Sequence, residues 1–239
     1  TRALVGRALL AALGVAGAPA NAATQASGFD ITPSSGVPAA PNTDSLLRAV
    51  RTHLDRGWGA ADEKERVRHY REAEALAREA VERTPRDPDA RWWLVASLGL
   101  RAQEESIGAR IRLGRALHGE ALALLEMAPD HPGGHHAMGR LHAGVLRRGR
   151  LARWLVKAMG GDEILKEASW ERAEGHLRRA VELEPDAPHH RVELARILEA
   201  RGREDEARTM ARSALAASDE APLASWYKGW AREILARLE

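Results

Sequence analysis

Apolar positions recur along this chain at three- and four-residue spacing, and no segment alternates apolar and polar residues between turns, so the pattern predicts helices and no sheet. Leu46, Leu47, Val50 and Leu54 form the stripe of a helix expected over about 44–57, and a second follows over about 62–83. Asp87 before Pro88 joins a capping side chain to a proline at the first helical position. The helix that starts there carries Trp92, Trp93, Leu94 and Val95. Further helices are expected over about 107–128, 134–148, 151–159, 164–183, 189–200 and 204–217, with Gly202 placed to end one of them in the left-handed conformation. A last helix, about 222–237, sets Trp226, Trp230 and Ile234 on one face.

Small residues inside this pattern repeat. Ala173, Ala180 and Val181 return 34 positions later as Ala207, Ala214 and Leu215. Ala73, Ala80 and Pro85 reproduce the offsets of Ala173, Ala180 and Pro185, and Ala116, Ala123 and Pro129 make a fainter copy one residue out of step. Small side chains let helices approach closely, and proline stops the helix that precedes it. A 34-residue unit of two helices is the tetratricopeptide period. Prolines 85, 129 and 185 are 44 and 56 residues apart, so the middle units carry insertions. The fold expected is all-α: a tetratricopeptide-like solenoid of helical hairpins, about four repeats, with an inserted helix and a C-terminal capping helix. Such a stack leaves a long concave surface, which points to a binding scaffold before it points to a catalyst.

Composition agrees. With 239 residues and 44% hydrophobic content the chain can bury a sizeable core, and one Phe and two Tyr leave few strand formers. No cysteine is present, so no disulfide or thiolate metal site is possible. The net charge of +2 comes from Arg2 and Arg7, because the remainder balances; nucleic acid is therefore not an expected partner. Those two arginines precede the apolar stretch 8–20, and Ala20-Asn21-Ala22 has the small-x-small form of a cleavage site. Residues 1–22 read as a signal peptide, which implies export to the periplasm or beyond; an uncleaved inner-membrane anchor is the alternative. Residues 23–43, rich in Pro, Ser, Gly and Ala, read as a flexible linker, and 44–239 as the repeat domain.

From about Pro132 to Leu215 the chain resembles the regulator of microtubule dynamics family, whose tetratricopeptide domains are interrupted by an extra helix at the same place. The residues that carry the likeness are His135-His136-Ala-Met-Gly-Arg140, the insertion around Arg153-Trp154-Leu-Val-Lys157, and the run from Ala173 through Ala180 to Pro185; Trp92-Trp93-Leu94 looks like the opening of an earlier repeat. Eukaryotic members are linked to microtubules and membrane contact sites, and one is implicated in binding phospholipid. An exported chain would meet no microtubule. Carrying tetratricopeptide positions over implies that Trp93, Ser97, His136, Arg140, Val192, Arg196 and Glu199 face the groove.

Catalytic motifs are missing: no Gly-Lys of a phosphate loop, no His-Glu-x-x-His, no Gly-x-Ser-x-Gly. Paired carboxylates such as Asp62-Glu63 and Asp205-Glu206 stand at helix starts, where they oppose the dipole. His131, His135, His136 and His142 cluster in sequence, but Pro132, Gly133 and Gly134 break the helical spacing and no carboxylate lies between 131 and 161; packing explains them more simply, and no metal or cofactor is expected. Between His131 and Gly161 there is no acid, while Arg140, Arg147, Arg148, Arg150, Arg153 and Lys157 stand among Leu151, Trp154 and Leu155. That is the pattern of a surface meeting anionic lipid or phosphate, although an inserted helix packed on the repeats with its arginines in water accounts for it more plainly. The function expected is a non-enzymatic scaffold or adaptor for a protein or peptide partner outside the cytoplasm; the alternative is binding of lipid or an anionic membrane through 140–159.

Overall fold

A computed structural model describes residues 42–218 and 224–239, without the side chains of 150–152. The signal peptide and nearly all of the linker expected from the sequence lie outside this range. Eleven helices make up the described residues, none long and apolar enough to cross a membrane. They are α1 (Thr43–Gly59), α2 (Glu63–Arg83), α3 (Pro88–Glu104), α4 (Ile107–Met127), α5 (Pro132–Leu146), α6 (Arg150–Ala158), α7 (Asp162–Glu167), α8 (Trp170–Leu183), α9 (Pro188–Ala200), α10 (Glu204–Ala216) and α11 (Ala224–Leu238).

Hairpins are the building unit. Helices α1/α2, α3/α4, α5/α8 and α9/α10 pack as antiparallel pairs, and α11 closes the stack against α9 and α10. The first helices of successive pairs also touch, α1 on α3, α3 on α5, α5 on α9 and α9 on α11, so they form the inner layer of a helical-repeat solenoid. The third hairpin is split: α6 and α7 are inserted between its two helices. Pro88, Pro132 and Pro188 all occupy the first turn of an inner helix, where the missing N–H is no loss. The expected helix 164–183 is two helices in the structure, because the Ser169 hydroxyl accepts the Arg172 N–H at 3.1 Å and starts α8 afresh.

The alanine register holds where the sequence was explicit. Ala73, Ala80, Ala173, Ala180, Ala207 and Ala214 are fully buried. In the second repeat the faint copy is one residue off: Leu117 and Leu124, twelve and five residues before Pro129, take the buried positions, and Ala116 and Ala123 are only partly covered. Helix contact is close where α5 crosses α8, since a Cβ on Gly139 would stand 2.7 Å from Leu177 Cγ and 3.0 Å from the Ala173 carbonyl oxygen. Gly202 ends α9 at φ +72°, the left-handed conformation that glycine adopts without strain. Ala180→Leu is expected to cost about 1–3 kcal/mol through overpacking, read as a lower melting temperature by circular dichroism; an unchanged melt would contradict the close packing of α8.

A buried ion-pair motif recurs at the same places in two repeats. Glu74 accepts from Arg78 one turn on and, at 2.6 Å, from Arg101 of the next inner helix. Glu174 does the same with Arg178 and, again at 2.6 Å, with Arg201, and adds Arg203. The first helix is held to the last as well: Trp58 of α1 meets Trp226 of α11 edge to face, with ring centroids 5.7 Å apart.

Candidate functional site

Inner helices α3 and α5, the start of α4 and the inserted α6–α7 enclose a cleft of about 540 Å³. Its floor is apolar, built from Ile107, Ile111, Leu117, Leu141, Val145, Val156 and Ile164. Around that floor stand six arginines, Arg110, Arg115, Arg140, Arg147, Arg148 and Arg196, and no lining residue is acidic.

Each arginine is placed by an identifiable contact. Arg110 donates to the carbonyls of Ala102, Gln103 and Glu105, so its charge sits at the negative end of α3. Burial lowers its pKa, and the neighbouring Arg148 lowers it further. Arg115 donates to the Met159 carbonyl at 3.1 Å and ties α4 to the end of α6. Arg140 and Arg196 flank Glu193, at 3.6 Å and 2.9 Å. That carboxylate lies beneath the cleft, 2% exposed. Burial alone would push it up, but Arg196, Arg140 and Arg147 outweigh that effect and hold its pKa at about 2. Arg147 and Arg148 are exposed at the rim and make no ion pair among the described residues.

The expected groove residues divide by register. Arg140 and Arg196 line the cleft, each eight residues past the proline that opens its helix. Trp93, Ser97, His136 and Val192 do not: all are buried, and the expectation that they face the groove is corrected. His136 and Val192 stand four residues past their prolines, one turn nearer the N-terminus, where the helix packs against neighbouring helices. Trp93 and Ser97 lie one residue out of register with those positions; Arg51 covers the Trp93 ring at 4.8 Å, and the Ser97 hydroxyl donates to the Trp93 carbonyl. Glu199 accepts from Arg237 of the capping helix at 2.9 Å, so it serves the stack's end.

Of the acid-free interval, Arg147 and Arg148 belong to the cleft rim. Arg153, Trp154 and Lys157 are exposed on α6, with Trp154 the most exposed of the described large apolar side chains at 61%. The Arg150 side chain lies outside the described ones. Helix α6 therefore has an arginine- and lysine-bearing face in water, while Val156 reaches the cleft floor. Sequence reasoning missed Arg110 and Arg115, which stand on the second helix of a hairpin and reach the cleft only because α6–α7 folds over that end of α4.

The histidines expected to pack do so. His131 Nδ1 accepts the Gly134 N–H and caps α5. His135 Nε2–H donates to the Pro129 carbonyl at 2.8 Å, leaving Nδ1 to accept from His176 Nδ1–H at 3.0 Å. His142 is fully buried. Burial, with help from nearby His118 and Arg172, lowers its pKa to about 4; burial and the neighbouring His135 and His142 lower His176 to about 4 as well.

The family model of regulator of microtubule dynamics protein 1-3 matches residues 24–239. No curated protein matches significantly. Among solved structures, a thermophilic TPR protein from Thermus thermophilus is similar over 80% of this chain and 99% of its own, at 18% identity and a TM-score of 0.39.

Proposed function

We propose, from the premise that this chain belongs to the regulator of microtubule dynamics protein 1-3 family, that it is a non-enzymatic scaffold whose concave cleft receives an acidic, partly apolar segment of a protein partner outside the cytoplasm. One observation carries the reading: six arginines ring an apolar floor in a cleft of about 540 Å³ with no acidic residue in its lining. An extended or helical segment can lay apolar side chains on Leu141, Val145 and Ile164 while its carboxylates meet guanidiniums at the rim, which bind carboxylates in bidentate fashion. Arg140 and Arg196 are partly committed to Glu193, so Arg147 and Arg148 supply the most available charge. Export is part of the proposal and rests on residues 1–22; N-terminal sequencing of the protein recovered from a periplasmic fraction would find the chain starting after Ala22 or Ala23, and a leader still attached would favour the anchored form.

Charge at the rim is testable without knowing the partner. Arg147→Gln together with Arg148→Gln removes both charges just past the end of α5 and should weaken capture of an acidic amphipathic peptide at least tenfold, with the parent's affinity falling as salt rises. Equal binding by parent and variant, measured by fluorescence anisotropy, would remove the cleft from consideration.

A second reading is favoured by the exposed Trp154 on the cationic face of α6: the insertion docks on anionic lipid. Each rim cation would contribute on the order of 1 kcal/mol near a charged surface. Co-sedimentation with phosphatidylglycerol vesicles, lost when Arg147, Arg148, Arg150 and Arg153 are all changed to Gln, would support it. No sedimentation by the parent, or sedimentation untouched in the variant, would leave the protein-segment reading alone.

A further inference from the structure

Three imidazoles converge at the N-terminal ends of α5 and α9, one to two helical turns before the cleft's Arg140 and Arg196. His136 and His190 are completely buried and His189 is 4% exposed. Pro132 and Pro188 fix the two helix starts, and the packing of α5 on α9 brings His136 against both residues of the His189-His190 pair. Ring centroids are 5.0 Å apart for His136–His189 and 4.9 Å for His136–His190. One nitrogen from each ring lies within 4.8 Å of the other two.

Two of the three rings already face each other through their Nδ1 atoms. His190 Nε2–H donates to Glu184 Oε2 at 2.9 Å, which makes its Nδ1 the acceptor. That Nδ1 faces His136 Nδ1 at 2.9 Å. His189 Nε2 is buried with no hydrogen-bond partner, an arrangement that costs free energy inside a protein and calls for a ligand or a reason. The other facing pairs, His53–His69 and His135–His176, bring two such nitrogens together without a third ring in reach of a shared ion.

We propose that His136, His189 and His190 bind a divalent first-row transition-metal ion that ties the inner helix of the third repeat to that of the fourth. Imidazole suits Zn²⁺, Cu²⁺ and Ni²⁺, and three nitrogens with a fourth position open to water make a common zinc set. The ion takes the place of the proton that His136 Nδ1 donates to His190 Nδ1, and His136 passes to the neutral tautomer with its proton on Nε2. Metal–nitrogen bonds of about 2.0–2.1 Å in a tetrahedral set require the facing Nδ1 atoms to part to about 3.4 Å and His189 to turn inward. Glu184 behind His190 is the carboxylate that orients a metal-bound imidazole and raises its basicity. Of the nearby cations, Arg140 is already offset by Glu193, while Arg191 stands beside His190 and is balanced in part by Glu184 behind the same ring. The role is structural: an ion held here stabilises the folded stack and the cleft built on α5.

The full chain, freed of metal with a chelator and titrated with Co²⁺ at neutral pH, should take up one equivalent and develop the visible bands of tetrahedral cobalt, which Zn²⁺ then abolishes. His189→Gln should weaken uptake at least tenfold, whereas His53→Gln should leave it unchanged. X-ray absorption of the zinc-loaded parent should find three imidazole nitrogens at about 2.0–2.1 Å, a reading that needs no variant to fold. Equimolar Zn²⁺ should also raise the melting temperature. An octahedral cobalt spectrum, uptake that persists in folded His189→Gln, or fewer than three imidazoles in the absorption data would overturn the site.

Discussion

Changing Glu193 to Gln is expected to lower stability by about 3–5 kcal/mol, because removing one partner of a buried ion pair leaves the other charge without compensation. Glu193 is 2% exposed and faces Arg140 and Arg196, which are themselves largely covered. In a domain of this size such a loss corresponds to a fall in melting temperature on the order of 10 °C. The same change should strengthen binding of an anionic peptide, since two guanidiniums in the cleft lose their internal counter-ion. Thermal melts and anisotropy titrations read the two effects separately. A variant as stable as the parent would mean that Glu193 does not hold these arginines.

Mild acid should have an effect of similar size. His142 and His176 have folded-state pKa values of about 4, well below the ordinary 6.5. The unfolded chain therefore binds more protons between pH 6.5 and 4, so the stability these neutral histidines contribute is complete above 6.5 and is lost as pH falls through that window. Each group changes stability by about 1.4 kcal/mol per pH unit there, and the partly exposed His176 counts for less because water screens its charge. By pH 4.5 the two together should cost about 3–5 kcal/mol, a large fraction of the stability of an ordinary domain. Urea denaturation at pH 7 and pH 4.5 measures it. His142→Gln removes that group's share of the pH dependence, and a slope unchanged in this variant would mean that His142 is not held neutral.

Helix content and the repeat were legible because they rest on local rules. Proline at positions 88, 132 and 188 and alanine at 173, 180, 207 and 214 each state a backbone or packing requirement in one residue. The second repeat read as a faint copy one residue out of step because Leu117 and Leu124 stand at the packed positions there, and the alanines beside them are only half buried. Groove residues were harder. A shift of four residues along an inner helix separates Arg140, which lines the cleft, from the buried His136, and that distinction depends on how far adjacent hairpins overlap, which no single helix records. Counting from the prolines would have aligned 92 with 136 and 192, and 96 with 140 and 196, and placed the first set one turn too close to the packed end. Arg110 and Arg115 could not be found from the acid-free interval because they lie before it. The ion pairs Glu74–Arg101 and Glu174–Arg201 were visible as a repeated Glu after the packed alanine with an Arg 27 residues on, a long-range match that only the pairing of hairpins turns into a contact.

If the arginine-ringed cleft is the ligand surface, selection of random peptides displayed on phage against the full chain will draw its ligands to that cleft. Enriched sequences should combine acidic with apolar residues, and their binding should fall at least tenfold in Arg147→Gln/Arg148→Gln while Arg83→Gln, on the outer helix α2, leaves it unchanged. Enrichment of basic or uncharged sequences, or binding that survives the loss of both rim charges, would contradict the account.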